Sequence, residues 1–334
     1  MRTTLKHIAK YLNVSVTTVS RALNDKGDIS PVMRQKVLEV AKLLDYKPNS
    51  VAISLRKKTV SNLIGVIVPN VEHYFYSTIL SGITTSEYAG DDFMVLTGQS
   101  KHNVHREKEL INKFQDHYVA GIILVPTRLA ASEENVKNLQ NFRTPFILID
   151  RTFDSYDGSF IQYDDYQGGY QAASHLIKKG RKKIALLKGN SDCSISSFRE
   201  KGFRDALNAA KIEIHEHLIV ICPEASSVEG YEATSRLLAH RHPPDGIVTI
   251  TDQLAVGALR RSRDNGLQVP KDLSIIGYSN SEISKMVSPK LTTINQDGYE
   301  MGKLAKQYLV EMCLHKNVVY QKVFPSELIT RQST

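Results

Sequence analysis

Residues 4–24 read TLKHIAKYLNVSVTTVSRALN, and their apolar positions follow a helical period. Leu5, Ile8, Ala9 and Leu12 fall on one helix face, and Val16, Val19 and Leu23 follow at spacings of three and four. Only Asn13-Val14-Ser15 separates the two stripes. Asparagine enters the left-handed backbone region more easily than most residues, and serine is a strong N-cap, so the segment predicts a tight turn between two short helices. Ser30-Pro31 predicts the start of a third helix, an N-cap followed by proline at the first helical position, with Val37, Val40, Ala41 and Leu44 as its buried stripe. Two helices joined by so short a turn form the unit whose second helix enters a DNA major groove.

The charge of the chain supports that reading once it is located. The 334 residues hold 43 Lys plus Arg against 35 Asp plus Glu, a net charge of +8. Residues 1–60 contain 12 of those bases and 4 of those acids, which leaves 31 of each sign in the other 274 residues. A basic head on a neutral body is the electrostatic signature of a polyanion-binding module. The second helix of the head exposes Thr17, Thr18, Ser20, Arg21 and Asn24, side chains suited to base edges and phosphates.

After Asn62 the pattern changes. Apolar runs at 63–68, 93–96, 121–125 and 146–149 alternate with helical stretches, and a second series follows at 161–163, 183–187, 218–221, 246–250 and 273–276. Continuous apolar strands between amphipathic helices predict parallel sheets covered on both faces. Two series predict two similar lobes with a cleft where the carboxyl ends of their strands face each other. The expected fold is therefore an N-terminal all-α helix-turn-helix head and an α/β core of two parallel-sheet lobes. The side chains at those strand ends include His73-Tyr74-Phe75-Tyr76, Asp150-Arg151, Asp164-Asp165, Arg199, Thr251-Asp252, Ser279 and Gln296. Aromatic faces with Asp, Arg, Asn and Gln suit a polyhydroxylated small molecule, although Asp164 and Asp252 serve equally well as helix caps.

Several classes are excluded or disfavoured. Disorder and collagen-like structure do not fit 41% hydrophobic and 23% charged residues. No run of about 18 apolar residues exists, so no membrane-spanning helix is expected. Residues 1–8 lack the apolar stretch of a secretory signal, so a cytoplasmic location is expected. Cys193, Cys222 and Cys313 are too far apart for a metal knuckle or a disulfide framework and are expected as small buried hydrophobes. GxGxxG, GxxxxGK[ST], HExxH and GxSxG are all absent from the sequence, so neither an enzyme nor a cofactor is expected, and His240 with His242 reads as a solvated loop pair rather than a metal site.

The run from Thr4 to Asn24 resembles the helix-turn-helix signature of the lactose-repressor/galactose-repressor family of bacterial transcription factors. Tyr46-Lys-Pro-Asn49 with Val51, Ala52 and Leu55 is similar to that family's hinge helix, Ile64-Gly-Val66 to its first core strand, 244–252 to its cleft loop and 291–294 to its crossover. The resemblance implies a periplasmic-binding-protein-like core and a homodimer that reads a pseudo-palindromic double-stranded operator. It implies a DNA-contacting set of Thr4, Ser15, Val16, Thr17, Thr18, Ser20, Arg21, Asn24, Asn49, Ala52 and Leu55. Within it Val16, Thr17 and Arg21 would read bases, and Leu55 would wedge into the minor groove. It likewise implies an effector set of His73, Tyr74, Phe75, Asp150, Arg151, Arg199, Thr251, Asp252, Ser279 and Gln296, with the three aromatics stacking on the ligand. Ser279 stands where sugar binders often carry Asp. The domains implied are a DNA-binding head at 1–48, a hinge at 49–61 and a core at 62–334, with one lobe of 62–160 plus 292–323 and another of 161–291 plus 324–334. The tail has no apolar heptads for tetramerisation. A sugar or sugar derivative is the expected effector; a purine or nucleoside is the alternative, and a pure sugar-binding protein is disfavoured by the basic head.

Overall fold

The computed structural model describes residues 3–24, 29–46, 62–87, 93–127, 129–141, 144–153, 156–190, 194–315 and 318–334. Asn49, Ala52 and Leu55 of the expected hinge lie outside the described residues, as does Cys193. The chain divides into two compact units, residues 1–61 and 62–334.

The first unit contains α1 (Leu5–Leu12), α2 (Val16–Leu23) and α3 (Pro31–Leu43). Asn13 closes α1 in the left-handed conformation at φ 51°, and the Ser15 Oγ accepts from the Thr18 backbone N–H at 3.0 Å to open α2. Ser30 opens α3 in the same way, its Oγ accepting from the Met33 N–H. Ile8, Ala9, Val19, Ala22, Val37, Val40 and Ala41 form the small core. Val16 departs from the expected buried stripe of α2. It is 38% exposed, because Ala22 and Val19 supply the buried face of α2 and turn Val16 outward.

The second unit runs through β1 (Leu63–Val68), α4 (Tyr74–Thr85), β2 (Met94–Gln99), α5 (Val104–Asp116), β3 (Gly121–Leu124), α6 (Leu129–Asn141), β4 (Phe146–Ile149) and β5 (Phe160–Tyr163). It continues with α7 (Asp165–Lys178), β6 (Ile184–Lys188), α8 (Ser194–Ala209), β7 (Ile219–Ile221), α9 (Ser227–Leu238), β8 (Gly246–Thr249), α10 (Asp252–Asp264), β9 (Ser274–Ser279), α11 (Glu282–Met286) and β10 (Thr292–Asn295). It ends with α12 (Gly298–Leu314), β11 (Gln321–Phe324) and β12 (Glu327–Ile329).

Two six-stranded sheets result, ordered β2-β1-β3-β4-β5-β11 and β7-β6-β8-β9-β10-β12. Among the described residues every pairing is parallel except β10 with β12. The common order explains the two similar apolar series in the sequence, and it places a topological switch point in each lobe beside β1/β3 and β6/β8. Buried side chains fill both faces of the first sheet and form one continuous cluster around the second.

The lobe boundaries differ from expectation because hydrogen-bond register, not hydropathy, decides sheet membership. Ile161–Tyr163 belongs to β5 and pairs with β4 and β11 in the first sheet. Residues 292–295 pair with β9 in the second sheet, so the chain crosses back only after Asn295. Phe324 stays with the first sheet, pairing with Tyr163, and β12 alone returns to the second. The chain therefore crosses between sheets at 163–165, 295–298 and 324–327.

Candidate functional site

In the first unit the outward face of α2 carries the residues proposed to meet DNA. Ser15, Val16, Thr17, Arg21 and Asn24 are exposed, and Thr18 and Ser20 are partly so. Two of these side chains also shape the helix. The Ser15 and Thr18 hydroxyls lie 2.8 Å apart at its start, and the Asn24 amide donates to the Ser20 carbonyl at its end. Thr4, exposed at the N-cap of α1, donates its backbone N–H to His7 Nδ1. An exposed helix start bearing hydroxyls, with Arg21 in its last turn, is chemically fitted to acceptors on a phosphate backbone and on base edges.

In the second unit the site is built at the carboxyl ends of the strands. Asp150 and Arg151 follow β4 directly. Asp150 holds φ at 69°, in the left-handed region that aspartate enters more readily than most non-glycine residues. Its side chain is fixed by the bonds around it. The Tyr76 hydroxyl donates to Asp150 Oδ2 at 3.0 Å and accepts from Arg151 Nη2 at 2.9 Å, while Arg151 Nη1 donates to the carbonyls of Pro126 (3.1 Å) and Thr127 (2.8 Å). Burial pushes the Asp150 carboxyl up to about 6, against the pull of the neighbouring Arg151 charge.

The second lobe supplies a matching cluster. Arg199 on α8 donates through Nε to Asp165 Oδ1 at 2.8 Å and through Nη1 to the Ile250 carbonyl at 2.7 Å. Its guanidinium carbon lies 3.4 Å from the centroid of the Tyr278 ring, and the Tyr278 hydroxyl donates to the same carboxylate oxygen of Asp165. Close backbone approach between α7 and α8 sets this up. A Cβ on Gly169 would meet the Arg199 carbonyl at 2.1 Å, so no side chain fits there. Ser279, in the left-handed region at φ 108°, donates its hydroxyl to Gln296 Oε1 at 3.2 Å.

Buried polar atoms without a hydrogen-bond partner among the described residues also lie in this region. They include Nε2 of Gln296, a residue 5% exposed, and Nδ1 of His73. A buried amide N–H without an acceptor costs about 1–3 kcal/mol, so such an atom marks where a ligand acceptor belongs. Burial, then the charges of Arg151 and Arg199, push the His73 imidazole down to about 4. The charges that act on His73 thus come from both lobes, Arg151 after β4 and Arg199 on α8.

The members of the expected effector set fall into these two clusters, with some differences from expectation. Phe75 is 3% exposed and packs in the first-lobe core against Tyr76 and Tyr163, because its place one residue into α4 points it at the sheet; it offers no stacking face. Tyr74 and His73 keep partly exposed rings. Asp252 is turned inward, where its carboxylate accepts from the Ser281 N–H, the Ser281 hydroxyl and the Thr293 hydroxyl, each at 2.7 Å. Thr251, not Asp252, caps α10, accepting from the Leu254 N–H, whereas Asp164 does cap α7 by accepting from the Gln167 N–H. Tyr76, Asp165 and Tyr278 were not in the expected set although they hold Asp150, Arg151 and Arg199. Their signal was adjacency to the strand ends, which does not separate a side chain that grips a ligand from one that braces it.

Among the described residues no group of His, Cys, Asp and Glu is arranged to hold a metal ion, and no helix is long and apolar enough to cross a membrane. Cys222 is buried and Cys313 half-buried, and burial pushes both thiols up to about 12.

Comparison with known proteins decides the family. Residues 4–49 match the model for bacterial regulatory proteins of the lacI family, and residues 173–334 match that for a periplasmic binding protein-like domain. Over the whole of both chains the sequence is 31% identical to catabolite control protein A of Priestia megaterium. The chain belongs to the lacI family of bacterial regulatory proteins. As a lacI-family member it is a DNA-binding transcriptional regulator with a helix-turn-helix head and a two-lobed core. Its structure matches that of the Lac repressor dimer bound to operator and the anti-inducer ONPF, with a TM-score of 0.81 and 26% identity over 100% of this chain and 99% of that one. It also matches a LacI-family regulator from Enterococcus faecium with bound ribose, with a TM-score of 0.70 and 29% identity over 81% of this chain and 98% of that one.

Proposed function

We propose that this regulator is a repressor that binds a pseudo-palindromic operator as a homodimer in the cytoplasm and is controlled by a sugar or sugar derivative held in the cleft between its two lobes. The observation that carries the effector reading is the buried, unpartnered amide nitrogen of Gln296 beside Ser279. Arg151, Arg199, His73 and Tyr74 belong to the same expected effector set. Hydroxyl groups, which donate and accept at once, suit the unpartnered amide N–H and a neutral imidazole together. The ribose bound to the Enterococcus faecium relative is in keeping with that chemistry.

In this reading Gln296, His73, Tyr74, Ser279, Arg151 and Arg199 contact the ligand. Asp150 orients Arg151 through Tyr76, while Thr251 and Asp252 hold the second-lobe loops. On the DNA side Val16, Thr17 and Arg21 read bases. Leu55, Asn49 and Ala52 act at the operator centre, where unstacking a base step costs a few kcal/mol and requires both hinges of the dimer.

A thermal-shift screen against pentoses, hexoses, their phosphates and acids, disaccharides and purines tests the effector class. A cleft ligand at about 100 times its Kd stabilises the fold by about 2.7 kcal/mol. The reading expects a sugar hit whose shift disappears in Gln296→Ala. A purine hit, or a sugar shift that survives in Gln296→Ala, overturns it.

A further inference from the structure

We infer that Glu107 is a positioning residue for the cleft, fixing the peptide that aims the Arg151 guanidinium; the inference rests on Arg151 belonging to the effector site. Glu107 sits in the first turn of α5 and is fully buried. A carboxylate in that position persists only if its oxygens are satisfied, and here they are. Oε2 accepts from the Thr127 backbone N–H at 2.7 Å and from the Ser132 hydroxyl at 3.2 Å, while Oε1 accepts from the Asn135 amide at 2.9 Å.

The Thr127 N–H belongs to the same peptide unit as the Pro126 carbonyl, and that carbonyl accepts from Arg151 Nη1 at 3.1 Å. One buried peptide therefore donates to Glu107 and accepts from Arg151. Its N–H and C=O point in opposite directions, so each bond polarises the group that makes the other. The Thr127 carbonyl adds a second acceptor for Nη1 at 2.8 Å, and the Thr127 hydroxyl ties the same residue to Ser100 at 2.9 Å. A continuous chain of hydrogen bonds runs from Asn135 on α6 through Glu107, the 126–127 peptide, Arg151 and Tyr76 to Asp150.

The test uses the full-length protein with nitrogen-labelled arginine and follows exchange of the buried guanidinium protons by NMR, with Arg151→Lys and Arg199→Lys assigning the two signals. Glu107→Gln keeps the shape but replaces one acceptor oxygen by an N–H donor. The Arg151 protons should then exchange about tenfold faster or more, while those of Arg199 are unchanged. Equal acceleration of both would show a general stabilising role and overturn the proposal, as would no change at Arg151. Should Glu107→Gln fail to fold, Asn135→Ala removes one donor to Glu107, and Arg151 exchange should accelerate about two- to threefold with Arg199 unmoved. An unchanged Arg151 in that variant also overturns the proposal. No effector enters the measurement, so a wrong effector reading shows up separately, as normal effector binding by Arg151→Lys.

Discussion

His73 shows how a single side chain ties stability to the cleft. Its imidazole titrates at about 4 in the folded chain against 6.5 ordinarily, because burial and the charges of Arg151 and Arg199 disfavour the cation. Between those values the unfolded chain binds a proton that the folded chain refuses, so this contribution to stability is lost as pH falls from about 6.5 towards 4. Asp150 acts in the opposite sense. Burial raises its carboxyl from 3.8 to about 6, so the folded chain takes up that proton first and gains stability as pH falls through the same range. The two partly cancel in the wild type, and His73→Gln separates them. Relative to wild type, the variant should gain about 2 kcal/mol between pH 7 and pH 5 in urea unfolding. A difference that does not move with pH would mean that His73 titrates in the fold as it does in the unfolded chain. At this scale the sequence was only half legible. It placed His73, Asp150, Arg151 and Gln296 at strand ends, but Phe75 and Asp252 carried the same signal and turned out to face protein. Which atoms of a polar or aromatic side chain are satisfied internally depends on partners far away in sequence, such as Thr293 for Asp252.

Elements whose limits are written in local chemistry were read well. The turn between α1 and α2 needs a residue tolerant of φ near 51° and an oxygen to cap the next helix, and Asn13 and Ser15 supply both within three residues. The same locality makes Ser15 a test of the recognition helix. Ser15→Ala removes the acceptor for the Thr18 N–H and should lower the stability of the head by about 1 kcal/mol, with a loss of operator affinity as the first turn frays. Ser15→Asp keeps a capping oxygen and should retain stability in thermal unfolding, yet it should still weaken operator binding in a gel-shift titration, since a new negative charge meets the phosphates. If Ser15→Asp binds operator as wild type does, the start of α2 does not approach DNA. The lobe boundaries were harder to read for the converse reason. β5 is as short as β8 of the second sheet, four residues each, and only pairing across 11 or more intervening residues, as between Leu148 and Phe160, assigns β5 to the first sheet.

At the scale of the whole molecule the decisive property is where the charge lies. With all of the net +8 in residues 1–60 and equal numbers of acids and bases in the rest, attraction to a polyanion resides in the head and the core is electrically balanced. Binding to DNA and binding to an uncharged effector should then respond differently to salt. Each phosphate neutralised by Lys or Arg releases condensed counterion, so a dimer making about 6–10 such contacts should lose about 10³–10⁵ in operator affinity between 50 and 200 mM salt. Arg21→Ala separates the two kinds of contact. If Arg21 reads a base, the variant should lose about 1–3 kcal/mol against the specific operator while the slope against log salt stays nearly constant; if it meets only a phosphate, specific and non-specific binding should weaken together and the slope should fall by about one. A thermal shift produced by a neutral sugar should be the same at both salt concentrations, because no counterions leave when it enters the cleft. A flat salt dependence of operator affinity would contradict the electrostatic role of the head, whereas a steep dependence of both equilibria would mean that the effector is itself an anion.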